Sequence, residues 1–268
     1  MKYSESWKIF DKIWKEYEFK KRKPGYLIDS FFEKLRVKEL DDFFGGKETI
    51  VNVGSGSGRW SLPFLRLGYK VTNFDMSHYA LLVSKKRCRN LKANYVRGDA
   101  FAIPFKNNSF DIVMSFGLIE HFKDVTKPID EMVRILKPHG LFFADIITKR
   151  ISVQRLQSWI NYCLYLFYVV IHLNLQKIRK SIWFLQKDYF ENSLSTKEYL
   201  TAMEKAGLSK INITGIRAFP IVMLPFFIER FYLPVFRLFG NFFVNFDRSN
   251  TKFSKFWGAI WELRGIKQ

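Results

Sequence analysis

Thr49-Ile-Val-Asn-Val-Gly-Ser-Gly-Ser-Gly-Arg59 is a short apolar run that opens into three glycines at alternate positions. Ile50, Val51 and Val53 read as a strand buried on both faces, because branched apolar residues suit a parallel sheet covered by helices. Gly54, Gly56 and Gly58 supply a tight turn without Cβ atoms, so backbone can approach a ligand there. A helical pattern follows from Arg59 to Leu67. Strand, glycine turn and helix N-terminus together predict a nucleotide site in a doubly wound α/β fold. The dinucleotide fingerprint needs a third glycine three residues after the second, and that position holds Arg59.

Downstream, Val71-Thr-Asn-Phe-Asp75 is a second apolar strand ending in a carboxylate, 21 positions after Gly54. A carboxylate offers only acceptors and suits the two hydroxyls of a ribose. Asp75 would equally serve as the N-cap of the next helix, as would Ser77. Val96-Arg-Gly-Asp-Ala100, Ser109-Phe-Asp-Ile-Val-Met-Ser115, Phe116-Gly-Leu-Ile-Glu-His-Phe122 and Arg134-Ile-Leu-Lys-Pro-His-Gly-Leu-Phe-Phe-Ala144 follow in order.

Taken with the glycines in steps of two, these segments over residues 48–148 resemble the class I S-adenosylmethionine (SAM)-dependent methyltransferases, in their small-molecule and lipid group. The resemblance implies an α/β Rossmann-like sheet of seven strands, six parallel and the seventh returning antiparallel between the fifth and sixth. It implies SAM as cofactor, held by Gly54, Ser55, Gly56 and Gly58, with Asp75 on the ribose and Met76 against the adenine. Asp99 would accept from the adenine amino group, the Ala100 N–H would lie near the ring, and Phe116 would complete the set. One position departs: the family usually has an acid two residues before the first glycine, and this chain has Asn52. An amide cannot supply charge to the methionine ammonium, which implies a weaker hold unless another acid serves. His121, in the loop after the fourth strand, is the candidate base, since an imidazole titrates near neutrality; Tyr17, Tyr26 and His172 are weaker candidates.

The remaining chain is read around that core. Helices over residues 6–23 and 27–40 make residues 1–47 an N-terminal cap over the cofactor, and residues 48–268 the methyltransferase domain. Ser195 is expected to cap a helix ending at Ala206-Gly207, Lys210–Arg217 to be the sixth strand and Trp257–Ile266 the seventh. Insertions at about 151–190 and 218–255 are rich in aromatics: eleven of the 29 Phe fall between Phe219 and Phe256. Both follow parallel strands and so emerge at the ligand-binding edge of the sheet, as a lid over the acceptor. Polar breaks such as Asn161, Glu229 and Arg230 leave neither able to span a bilayer.

The net charge of +19 is split into +10 over residues 1–150 and +9 over residues 151–268, so it marks no separate basic module. Combined with the aromatic insertions, it favours contact with an anionic membrane surface through Lys177, Arg179, Lys180, Arg230 and Arg237. A closed apolar acceptor pocket or a homodimer interface would use the same residues. Two cysteines and four scattered histidines predict neither a disulfide framework nor a metal site. The N-terminus lacks an apolar signal core, which reads as a cytoplasmic chain with peripheral membrane attachment.

The expected function is methyl transfer from SAM to a hydrophobic or lipid-linked small molecule of quinone or glycolipid-precursor type. The segment Ser115-Phe-Gly-Leu118 lacks the proline motif of amino-directed nucleic-acid methylases. An RNA methyltransferase or RNA-binding protein, favoured by charge, and a non-catalytic interaction module on the same fold are the alternatives.

Overall fold

The computed structural model describes residues 6–16, 26–147, 149–171, 190–218, 230–231, 233–234 and 237–268. Strand β1 (Thr49–Val53) has four consecutive buried residues, which requires cover on both faces. Val51 and Val53 enter a cluster with Val113, Phe142 and Ala144; Ile50 enters the opposite one with Leu40, Phe44, Phe64 and Phe143. The two-residue period of a strand thus divides one sequence between two cores.

Strands β2 (Lys70–Asp75), β3 (Asn94–Arg97), β4 (Phe110–Phe116), β5 (Leu136–Ile146), β6 (Leu208–Ile216) and β7 (Ile260–Lys267) complete the sheet. Its order is β3-β2-β1-β4-β5-β7-β6, and β7 runs antiparallel to both neighbours. This is the doubly wound topology expected, with the order reversing beside β1. Helix α2 (Tyr26–Phe44) packs Leu40 and Phe44 on one face, and α5 (Thr126–Arg134) packs Ile129, Met132 and Val133 on the other.

Several boundaries move for local reasons. The helix expected from Arg59 is α3 (Ser61–Arg66), because residues 58–60 continue the turn. Strand β6 starts at Leu208, directly after Gly207 at φ +88°, and bulges at Lys210. Strand β7 starts at Ile260, since residues 252–257 form a helix whose N-terminus the Thr251 hydroxyl caps through Ser254 N. The first N-terminal helix, α1, is described as Ser6–Lys15 and the second runs on to Phe44. Tyr17, His172, Lys177, Arg179 and Lys180 lie outside the described residues, as does the side chain of Tyr26.

The helix Thr196–Lys205 has the expected N-terminus. The Ser195 hydroxyl accepts from Glu198 N, and Glu198 Oε2 accepts from Ser195 N at 2.7 Å. Ser195→Ala should cost about 1 kcal/mol, the usual worth of such a cap, measured as a lower urea midpoint at unchanged slope.

Among the described residues no helix is long and apolar enough to cross a membrane, and no cluster of His, Cys, Asp and Glu could hold a metal ion.

Candidate functional site

A cavity of about 560 Å³ opens at the carboxyl ends of β1, β2 and β4. Its floor is the glycine turn, anchored by Gly54 N and Ser55 N donating to Phe74 O at 2.8 and 3.1 Å. Gly56 has φ +50°, and a Cβ there would sit 2.9 Å from the Trp14 ring. Gly58 has φ +68° and lies outside the cavity lining; a Cβ would sit 2.3 Å from Ser84 Oγ in helix α4 (His78–Arg87). The glycines therefore divide their work: Gly54 and Gly56 let the Leu118 side chain and the Trp14 ring close on the turn at the cavity, and Gly58 lets α4 pack against it.

Asp75 ends β2 at the cavity wall. Its Oδ2 accepts from Gly56 N at 2.8 Å and its Oδ1 from Ser77 N at 2.9 Å. Burial raises its pKa, against those two backbone donors. The N-cap of α4 is Ser77, whose Oγ accepts from Ala80 N at 3.1 Å and donates to Asp11 at 2.5 Å. That last bond ties α1 to the rim. Trp7, Phe10 and Trp14 of α1 line the cavity as well.

Each expected cofactor residue can now be placed. Ser55, Met76, Asp99, Ala100 and Phe116 all line the cavity. Asp99 is exposed, and its Oδ1 accepts from Phe101 N at 3.0 Å, so the carboxylate is steadied at the rim. Asn52 is buried at the base of the cavity: Nδ2 donates to Ser61 Oγ at 2.9 Å, while Oδ1 has no hydrogen-bond partner. An orphaned buried acceptor is costly unless a ligand donor satisfies it.

His121 sits in a single 3₁₀ turn (Ile119–His121) and also lines the cavity, with the Phe10 ring 4.8 Å away. Its Nδ1 lies 2.7 Å from the Phe190 carbonyl, which can only accept. Nδ1 therefore carries the proton, and Nε2 is the basic nitrogen. The turn is clamped by Asn192, whose N–H donates to Glu120 O at 2.7 Å and whose Nδ2 donates to Phe122 O at 2.9 Å. Tyr199 donates to Asn192 Oδ1 at 2.9 Å. Burial pushes the neighbouring Glu120 carboxyl up to about 8, and its Oε1 accepts from Ile147 N.

A second cavity, of about 350 Å³, adjoins the first; Arg59, Trp60, Phe116 and Gly117 line both. Trp60 and Phe116 stack with ring centroids 4.4 Å apart. The second cavity is charged. Asp145 of β5 and Glu262 of β7 are register partners, and Arg36 of α2 reaches both, at 2.5 Å to Asp145. Arg264 joins Glu262 to Glu39. Burial opposes the Arg36 charge, but Asp145 and Glu262 outweigh it and raise its pKa. Burial holds Asp145 above the ordinary carboxylate range despite Arg36. None of these residues is foreseen in the sequence, although lone charges inside the apolar runs of β5 and β7 are a visible sign. Of the two insertions, the helix Gly240–Arg248 contributes Val244 and Asp247 to this cavity, whereas α6 (Val153–Ile171) lines neither.

The sheet order, the glycine turn and Asp75 at the end of β2 are those of the class I SAM-dependent methyltransferase fold. Residues 51–144 match the family described as methyltransferase domain. Among curated relatives, a demethylmenaquinone methyltransferase of Chlorobaculum tepidum is 27% identical over 135 residues, 49% of this chain and 55% of that protein. One from Bacillus cereus is 25% identical over 232 residues, 81% of this chain and 94% of that protein. The match thus spans about half the length of the first relative, and nearly all of the second. A SAM-dependent methyltransferase from Thermotoga maritima superposes with a TM-score of 0.60 at 19% identity, over 98% of this chain and all of that one. Phosphoethanolamine N-methyltransferase 2 of Haemonchus contortus, in complex with SAM, gives 0.53 at 17% identity, over 87% and 52%.

The residues present fit SAM. Gly54, Ser55 and Gly56 bring backbone to the cavity wall, Asp75 offers its carboxylate beside them, and the orphaned Asn52 Oδ1 offers an acceptor where the family usually has an acid.

Proposed function

We propose that this chain transfers a methyl group from SAM to a hydrophobic or lipid-linked small molecule, of quinone or glycolipid-precursor type, at a membrane surface. The observation that carries the reading is the composition of the main cavity. Beyond the glycine turn and Asp75 it is walled by Trp7, Phe10, Trp14, Phe101, Phe116 and Phe122. Such a wall excludes water and accepts an apolar ring or chain. The relatives named as demethylmenaquinone methyltransferases support a quinone-like acceptor.

Bound in this cavity, SAM supplies an electrophilic methyl on a sulfonium. The chain's own residues do the rest. Gly54, Ser55 and Gly56 give backbone contact, Asp75 receives the ribose hydroxyls, and Met76, Asp99 and Ala100 bound the adenine end. Asn52 accepts from the methionine ammonium. His121 Nε2 takes the proton from an acceptor hydroxyl or acidic carbon, with the ring held by Phe190 O.

Surface attachment is supported by exposed aromatics on the insertions. Trp159 and Phe167 on α6 are 61% and 67% exposed, and Phe231, Phe242 and Phe256 are also exposed. Apolar side chains beside Arg230, Arg237 and Lys252 suit an anionic interface. A homodimer would cover the same face.

The test is transfer of label from methyl-labelled SAM to lipid extract presented in anionic vesicles. Label should enter the lipid phase, and His121→Gln should slow transfer about 100-fold with S-adenosylhomocysteine (SAH) affinity unchanged. Label appearing in added RNA instead, or in nothing although SAH binds, overturns the reading.

A further inference from the structure

Charge in the second cavity is almost fully matched. Arg36 meets Asp145 and Glu262, Arg264 meets Glu39 and Glu262, and Arg59 meets Glu33 at 2.6 Å. Two groups remain. Asp247 Oδ2 accepts from Arg217 N at 3.0 Å, while Asp247 Oδ1 is buried without a partner. A buried carboxyl can lose its charge by taking a proton, and burial indeed pushes Asp247 up to about 6. Arg217 has no such way out, because a guanidinium keeps its proton throughout the working range.

Among the described residues the Arg217 guanidinium forms no ion pair, although Arg217 lines the cavity and is half-buried. Burial first, then Arg36 and Arg59, lower its pKa; Asp29 and Asp145 pull the other way from beyond ion-pair distance. A half-buried cation without a counter-charge is expensive and is relieved by an anion from outside. Its backbone adds a second argument. Arg217 follows the last residue of β6 at φ +54°, a left-handed conformation that costs a branched or long side chain about 1 kcal/mol and a glycine nothing. The strain is borne with the side chain in the cavity that shares Arg59, Trp60, Phe116 and Gly117 with the cofactor cavity.

We propose that Arg217, with Arg59 lining the same cavity, forms an anion subsite for a carboxylate or phosphate carried by the methyl acceptor. This deepens the functional reading above and rests on it. It distinguishes, within that acceptor class, a phosphate- or carboxylate-bearing lipid precursor from a neutral quinone. The aromatic cavity takes the apolar part, and a planar guanidinium takes two anionic oxygens side by side.

The experiment is calorimetric titration of the full chain with phenyl phosphate, with phenol as its neutral counterpart and inorganic phosphate as the free anion, each with and without saturating SAH. Wild type should bind phenyl phosphate more tightly than phenol or inorganic phosphate. Arg217→Gln should weaken phenyl phosphate about tenfold or more and leave phenol unchanged. Arg217→Lys should restore part of the loss. Because Arg217 has no ion pair to lose, Arg217→Gln should keep the wild-type melting temperature, which separates a binding defect from misfolding. Equal phenyl phosphate affinity in wild type and Arg217→Gln overturns the proposal. So does inorganic phosphate binding as tightly as phenyl phosphate, which would mark a site for free anions. A tenfold loss of SAH affinity in Arg217→Gln also overturns it, since the charge would then serve the cofactor's own carboxylate. If SAH gives no heat with wild type, the functional reading fails, while the anion arms without SAH still decide this one.

Discussion

Asp75→Ala should reduce SAH affinity about 100-fold or more, since two charge-assisted hydrogen bonds are each worth roughly 1.5–3 kcal/mol. The same substitution removes the acceptor for Gly56 N and Ser77 N, so the glycine turn loses its tie to the start of α4. Asp75→Asn separates the two effects. Its amide oxygen can still take one backbone donor, and its amide nitrogen cannot accept from a ribose hydroxyl. Affinity should therefore fall nearly as far in Asp75→Asn, while the melting temperature stays closer to wild type. Titration calorimetry on both variants, with thermal unfolding beside it, checks this. SAH binding to Asp75→Ala at wild-type strength would remove Asp75 from the cofactor site.

Arg36→Leu should cost about 3–5 kcal/mol of stability, the usual consequence of stranding a buried counter-charge. Asp145 and Glu262 face each other across β5 and β7 in the protein interior, and Arg36 is the charge that reaches both. It also lies 5.3 Å from the Phe143 ring, so its loss removes packing as well. The deficit should depend on pH in a definite direction. Burial already holds the Asp145 carboxyl above its unfolded value, and removing the Arg36 charge raises it further. The folded protein then binds the extra proton, so the cost is small below about pH 4 and grows as pH rises through the raised folded values. Denaturant titrations of wild type and Arg36→Leu should therefore diverge toward neutral pH. Parallel stability curves across that range would show that the ion cluster contributes little.

The parts of this protein that local pattern can reveal are those whose residues lie close in sequence. The turn after β1, Asp75 at the end of β2 and the Ser195 capping box each depend on spacings of a few residues, and each stands where the pattern puts it. The ion cluster is different in kind. Arg36 and Asp145 are 109 positions apart, and Arg264 and Glu39 are 225 apart, so only the closed sheet brings them together. Asp145 in Leu-Phe-Phe-Ala-Asp-Ile and Glu262 between Trp261 and Leu263 are charges set among large apolar residues, a local sign of burial that names no partner. Phe190 and Asn192 gave no local sign of holding His121, because backbone carbonyls and a single amide carry no periodicity. The insertions show the converse limit. Emergence at the carboxyl edge follows from topology, but among the described residues α6 lines neither cavity, with Trp159 and Phe167 exposed, while the helix Gly240–Arg248 supplies Val244 and Asp247 to the second. An expectation about where a segment starts does not fix where its side chains end.

Trp14 rests over Gly56, and Asp11 is bonded to Ser77, so α1 is held to the glycine turn by an indole and to the start of α4 by one hydrogen bond. The mouth of the cavity is thus built partly from a stretch of chain some forty residues before the turn, and a substitution at Asp11 or Trp14 would reshape that mouth while leaving the sheet beneath it intact.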